Sequence, residues 1–202
     1  MANLKLKNPS GGSLALVSAD GASDLTVTFP AGTGTAVVNG VSSAIVSGTA
    51  VASTSGTSID FTGIPSWVKR ITVMFDQVST NGTSLPAIQL GDSGGIEATG
   101  YNTGSSLFGA TGIGTTIFTT SFTLRTDALA TVVMSGHVIL NLMSSSTNTW
   151  SIGGVLATPT AGTYMTAIGG TKSLSATLDR VRITTVNGTD AFDSGSINIL
   201  YE

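Results

Sequence analysis

The 202 residues predict an all-β protein: a short-strand segment over residues 1–57, then an antiparallel β-sandwich, jelly-roll or lectin-like, over 58–202. Charged residues are only 9% of the chain, too few for the wet face of a long helix and too few to keep a chain disordered. The hydrophobic 41% is mostly Ala, Val, Ile and Leu, set among 26 Gly and abundant Ser and Thr. That is the make-up of strands joined by tight turns. No stretch longer than a turn repeats its apolar residues at helical spacing, whereas alternation recurs.

The chain pivots on 59–75. Two strand-like runs, 58–62 and 68–75, flank a turn built on Gly63 and Pro65. In the second, Ile71, Val73 and Phe75 share one face while Arg70, Thr72 and Met74 share the other, as a half-buried strand requires. Ahead of this stretch the sequence is small, repetitive and poor in aromatics. From it onward come both Trp and all three Tyr.

Residues 1–57 carry short apolar runs at Leu4/Leu6, 14–17, 25–29, 36–38 and 44–46. Turn signals at 8–12, 19–21, 29–32 and Asn39-Gly40 separate them, a spacing of about ten residues typical of short strands. Gly34-Thr-Ala-Val-Val38 is echoed at Gly48-Thr-Ala-Val-Ala52, and 53–57 has the composition of a linker. Such strands bury too little surface to stand alone and leave open edges. Three sister chains wrapping together would close them into a shaft; a flexible leader is the alternative.

Beyond residue 75, strands are expected at 87–90, 115–124, 131–142, 149–152, 164–168, 174–177, 180–186 and 196–201. With the first two, that is about the number of a two-sheet sandwich. The longest loops are expected at 92–110 and 144–147. Ile197, Ile199 and Tyr201 share a face, so the last run should be pinned into a sheet.

Composition excludes several classes. The net charge is −3 and the cations occur in pairs such as Lys69/Arg70 and Arg180/Arg182, not in the clusters that nucleic acid or an anionic membrane requires. Without cysteine there is no disulfide, thiolate site or thiol nucleophile. The start holds no apolar run of signal-peptide length, so synthesis in a cytosol without export is expected. No run is long enough to span a bilayer, and no cofactor is implied.

Gly91-Asp-Ser-Gly-Gly95 is similar to the nucleophile loop of trypsin-like proteases. Ile96 stands where Pro is expected, however, and the one histidine, His137, follows Ser93 instead of preceding it. A tight turn with Asp92 accepting backbone hydrogen bonds is the plainer reading. His137 is expected in or near the core, and alone it makes no zinc site. Asp179, Asp190 and Asp193 lack calcium-loop spacing, and no acid pair stands out for glycoside hydrolysis. Asn81-Gly-Thr and Asn187-Gly-Thr read as hairpin turns. The aromatics Tyr101 (beside Asn102), Trp150 and Tyr164 are the candidates for stacking on a sugar; the competing reading packs them in a core or between subunits.

Taken together, Leu4-Lys-Leu-Lys-Asn-Pro-Ser-Gly-Gly-Ser13, Ile59-Asp-Phe-Thr-Gly-Ile-Pro65, Lys69-Arg-Ile-Thr-Val-Met-Phe75 and Phe192-Asp-Ser-Gly-Ser-Ile-Asn-Ile-Leu-Tyr-Glu202 give the chain its character. In these phrases it resembles the fibre and receptor-binding proteins of tailed bacteriophages. The resemblance implies a homotrimer located in the virion, attached to other virion proteins through its N-terminal segment. A tail fibre would then contact a host-surface glycan through the distal sandwich. The chain is shorter than a long tail fibre, so a capsid decoration or head fibre is the alternative, and a depolymerase-type hydrolase a third. The resemblance carries over no binding residue.

Overall fold

Alternation in the pivot stretch becomes the middle of a wide sheet. In the computed structural model, which describes residues 4–7, 13–16, 45–109, 112–127, 129–130, 132–158 and 164–202, strand β6 (Arg70–Thr80) runs between β12 (Met134–Ser144) and β16 (Phe192–Tyr201). Ile71, Val73 and Phe75 point inward and are buried, as their spacing predicts. The face then flips at a bulge: Gly136 pairs with Phe75 but Met134 with Val78, and Gln77 takes a positive φ of 52°. The extra residue lets Val78 rejoin the core. On the other side Gly195 (φ 91°) passes so close to the carbonyls of Asp76 and Gln77 that a Cβ there would overlap them.

The chain divides into two compact units, Met1–Gly40 and Val41–Glu202. The first contains a hairpin of β1 (Leu4–Lys7) and β2 (Ser13–Leu16), with Leu4 opposite Leu16 and Lys7 opposite Ser13. The expected runs at 25–29 and 36–38 lie outside the described residues.

The second unit is a β-sandwich whose described strands all pair antiparallel. Its nine-stranded sheet has the order β10 (Gly112–Phe118), β9 (Tyr101–Gly109), β14 (Tyr164–Ser173), β13 (Thr149–Thr158), β12, β6, β16, β3 (Val46–Ser47), with β4 (Val51–Ala52) also on β16. The five-stranded sheet runs β11 (Phe122–Thr123), β7 (Pro86–Asp92), β15 (Arg180–Thr185), β5 (Ile59–Thr62), with β8 (Gly95–Ile96) on β7. The core is one cluster: Ile59, Ile88, Leu90, Val181 and Ile183 from the smaller sheet meet Ile71, Val138, Leu140, Ile152, Leu156 and Ile197 from the larger. Burial of these branched side chains is the main force joining the layers.

Five expectations need correction. Residues 45–56 belong with the sandwich, because β3 and β4 pair with β16, Ser53 Oγ donates to the Ser194 carbonyl at 2.7 Å, and Phe192 N–H donates to Gly56. The division therefore falls near residue 40, not 57. The expected loop 92–110 contains β8 and all of β9, whose inner face carries Tyr101, Thr103 and Ser105 instead of aliphatic residues. The single run 115–124 is two strands in different sheets, and 174–177 is not a strand. His137 is exposed: it lies on the outer face of β12, beside Met74 and Val155, while its neighbours Val138 and Leu140 fill the inside.

The two Asn-Gly turns are corners between sheets, since β6 leads to β7 and β15 to β16 across the sandwich. They clasp each other. Asn81 and Ala191 exchange hydrogen bonds of 2.9 Å, and Asn187 Oδ1 accepts from the backbone N–H groups of Thr189 and Asp190.

On the outer face of the large sheet, Gly153, Gly169 and Gly104 stand in direct register across β13, β14 and β9. A Cβ at Gly153 or Gly169 would meet nothing within 4 Å. Beside this bare row stand the exposed side chains of Val155, Met165, Phe108 and Ile117.

Candidate functional site

The four aromatic and amide candidates do not gather in one place. Tyr101 and Trp150 are 2% and 3% exposed, so neither offers a free ring face to a sugar; strand alternation turns both inward. Asn102 is exposed on the opposite face of β9, across from Thr171. Tyr164 is half-buried at the start of β14 and packs where a side chain on Gly109 would have to go.

The position of Tyr101 has a structural cause. Along its outer edge β7 pairs with β11 at Ala87 and Ile88 and with β8 at Gly91 and Asp92. Between these ladders the Leu90 N–H has no strand partner. The Tyr101 hydroxyl, reaching over from the other sheet, accepts that N–H at 2.7 Å and donates to the Glu97 carbonyl at 2.8 Å. Its ring meets Phe122 edge-on, 4.9 Å between centroids. Burial raises the phenol's pKa, so it stays protonated as this bonding requires.

Around it lies a polar clasp. Lys172, almost fully buried, pairs with Glu97, donates to the Ser173 carbonyl at 2.7 Å and sits 5.5 Å from the Tyr101 ring centre. Glu97 Oε1 accepts the Ser175 N–H, and Ser175 Oγ donates to Asp92 Oδ2, both at 2.7 Å. Asp92 Oδ1 accepts the Gly94 N–H, the expected turn geometry. The Ser175 hydroxyl and the Gly94 N–H hold the Asp92 carboxyl below its usual range. Burial pushes Glu97 upward, but the Lys172 ammonium and Ser175 outweigh it and the net shift is downward. These groups spend their hydrogen-bonding capacity on one another, which fixes the 91–97 turn against the end of β14. Ser93 is exposed in that turn on the smaller sheet and His137 lies on the larger, with no hydrogen bond joining them among the described residues.

The three acids weighed for a cation go separate ways: Asp179 to Arg180, Asp190 to Asn187 and the Ser84 N–H, Asp193 to Ser79. Among the described residues no three metal-ligating side chains converge.

The exposed aromatic lies elsewhere. Between β5 and β6 the chain turns tightly, Val68 N–H donating to the Pro65 carbonyl at 3.0 Å, and this turn lifts Trp67 to 50% exposure. One side of its indole rests on Tyr201, 5.9 Å between centroids and tilted 49°. Next to Tyr201, Arg70 pairs with Glu202 beside a shallow notch that also involves Ile45 and Thr72. On the other side of the turn a second notch of about 60 Å³ is bordered by Ser66, Lys69, Ser145, Asn148 and Thr177, with Trp150 among its apolar walls. Asn148 takes a positive φ of 47° at the β12–β13 turn, which hydrogen bonds among Ser144, Thr147 and Thr149 brace. A tryptophan held between Pro65-Ser66 and Lys69-Arg70, outside any alternating run, was the sequence cue to this rim. No protein family, curated protein or solved structure matches the chain.

Proposed function

We propose that this chain is a virion fibre protein of a tailed bacteriophage, a non-enzymatic adhesin whose sandwich contacts carbohydrate on the host surface. The N-terminal segment then joins sister copies, three in the simplest arrangement, and attaches them to the particle. The observation that carries the adhesive role is Trp67: half its surface is open, and its indole is backed by Tyr201, which itself borders a shallow notch with Arg70 and Glu202. An indole so mounted is a ready platform for the apolar face of a sugar ring. Shallow contacts suffice when several copies bind one surface, because avidity multiplies weak affinities. The test is a glycan array and host-cell binding with the full chain and with Trp67→Ala. Binding that disappears in the variant supports the reading; binding unchanged by it refutes the rim as the contact.

A second reading, a capsid decoration or head fibre without host recognition, draws on the outer face of the large sheet. There Val155, Met165, Phe108 and Ile117 stand exposed beside the glycine row, an apolar patch of the kind that covers itself against other protein. Stable incorporation into particles by a chain that binds no glycan and no host cell would favour it.

A further inference from the structure

We propose that the outer face of the nine-stranded sheet, over β10, β9, β14 and β13, is where two copies of this chain pair across a two-fold axis. The pairing is separate from the joining assigned to the N-terminal segment, and it holds for a tail or a head position alike. These four strands contain one charged residue, Lys172, and it is turned inward and buried. Outward stand Val155, Met165, Phe108 and Ile117, all exposed. The smaller sheet shows the ordinary arrangement, with Arg182 paired to Asp60 on its outer face. A sheet face that is apolar and free of charge over four strands marks a protein contact. A second copy, equally bare, covers it without stranding a buried charge on either side.

The relief of the face selects a second copy over other partners. A two-fold contact must be complementary to itself, and the strand register supplies that. Val155, Ala167 and Ser106 form one row across β13, β14 and β9. Two residues to one side lies the bare row Gly153, Gly169 and Gly104; two to the other lie Ala157, Met165 and Phe108. An axis along the middle row sets Met165 of one copy over Gly169 of the other, and Phe108 over Gly104. Each ridge then fills the opposite trough. Strands about 4.8 Å apart and about eight residues of about 3.3 Å each give about 500 Å² per copy, or about 1,000 Å² in the pair. That is about the lower limit for specific association, so a concentration-dependent pair with a Kd of about micromolar is expected.

The experiment is sedimentation velocity of the full-length chain over a range of concentrations, beside Val155→Glu, Met165→Glu and Gly169→Leu. Val155 and Met165 are exposed, and a Cβ at Gly169 meets nothing within its own chain, so all three should melt with the parent, which is verified first. The parent's mass should double with concentration, whatever order the N-terminal segment sets. Either Glu should weaken that doubling about a hundredfold or more, since the axis buries the unpaired charge twice. Gly169→Leu should weaken it too, although it adds apolar surface, because it fills the seat of Met165. The chain has no cysteine, so Ala167→Cys, on the axis, should be joined to its counterpart by a short bismaleimide, and Ser173→Cys, further along the same strand, should not. A parent mass that never doubles, or doubles equally in the Glu variants, overturns the inference. Stronger association of Gly169→Leu also overturns it, since stickiness without fit would then suffice. Variants lost from particles while the parent stays undoubled in solution would give the face to another virion protein, and overturn it as well. None of these results touches glycan binding, so the adhesive reading stands or falls on Trp67→Ala alone.

Discussion

Tyr101→Phe isolates one hydroxyl that spans the two sheets. Phenylalanine keeps the ring, its edge-on contact with Phe122 and its place in the core, so packing is nearly unchanged. What is lost is an acceptor for the Leu90 N–H and a donor to the Glu97 carbonyl. Leu90 is fully buried in the gap between β11 and β8, where its N–H has no other strand partner. A buried donor left unmade costs about 1–3 kcal/mol, and the carbonyl regains part of its share from solvent. The expected loss is about 2 kcal/mol, or about 4–8 °C in Tm for a domain of this size. Calorimetry and urea unfolding measure the loss, and hydrogen exchange locates it: the Leu90 amide should lose protection more than the Val181 amide, which lies opposite it on β15. A Tm within about 1 °C of the parent, with Leu90 still protected, would refute the gap-filling role.

Truncation distinguishes the two domain boundaries. A chain beginning at Val41 should melt within a few degrees of the parent, whereas one beginning at Ser58 loses β3, β4 and the Ser53 contacts, uncovers one edge of β16, and should melt lower and associate on size exclusion. The Glu97 clasp predicts a pH dependence of definite sign. Its carboxyl is held below the ordinary 4.5 in the folded chain, so its contribution is full above that value and declines as pH falls through the lowered one. The Tm gap between the parent and Glu97→Gln should therefore be widest near neutrality and narrow as the solution is acidified below the ordinary 4.5; a constant gap contradicts the assignment.

Where one face of a strand is uniformly apolar, the sequence was explicit. Ile71, Val73 and Phe75, and Ile197 with Ile199, are buried as alternation required, and the antiparallel sandwich follows. Strand β9 was illegible because its inner face is Tyr101, Thr103 and Ser105, with Gly104 facing out. That pattern reads as a loop until neighbouring strands supply the burial. The boundary at 40 was hidden for a related reason: β3 and β4 are two residues each and acquire meaning only against β16. Burial also reassigned the candidate residues. Tyr101 and Trp150 were noticed for their chemistry, but chemistry does not say which way a strand residue faces, while Trp67, on a turn, had no alternation to place it. Arg70 stood out in the sequence only as half of a basic pair; that Glu202 comes round to pair with it is a fact of topology.

The order of strands also bears on how quickly this shape can be reached. Phe75 lies opposite Ile197, and Phe61 opposite Val181, so the heart of each layer joins stretches separated by about 120 residues. Chain ends that far apart meet late, since the loop entropy must be lost before any contact repays it. Folding times of seconds or longer are expected even though each pairing is ordinary. During that interval β6 has only β12 beside it, and the growing sheet offers its bare flank to whatever strand arrives first.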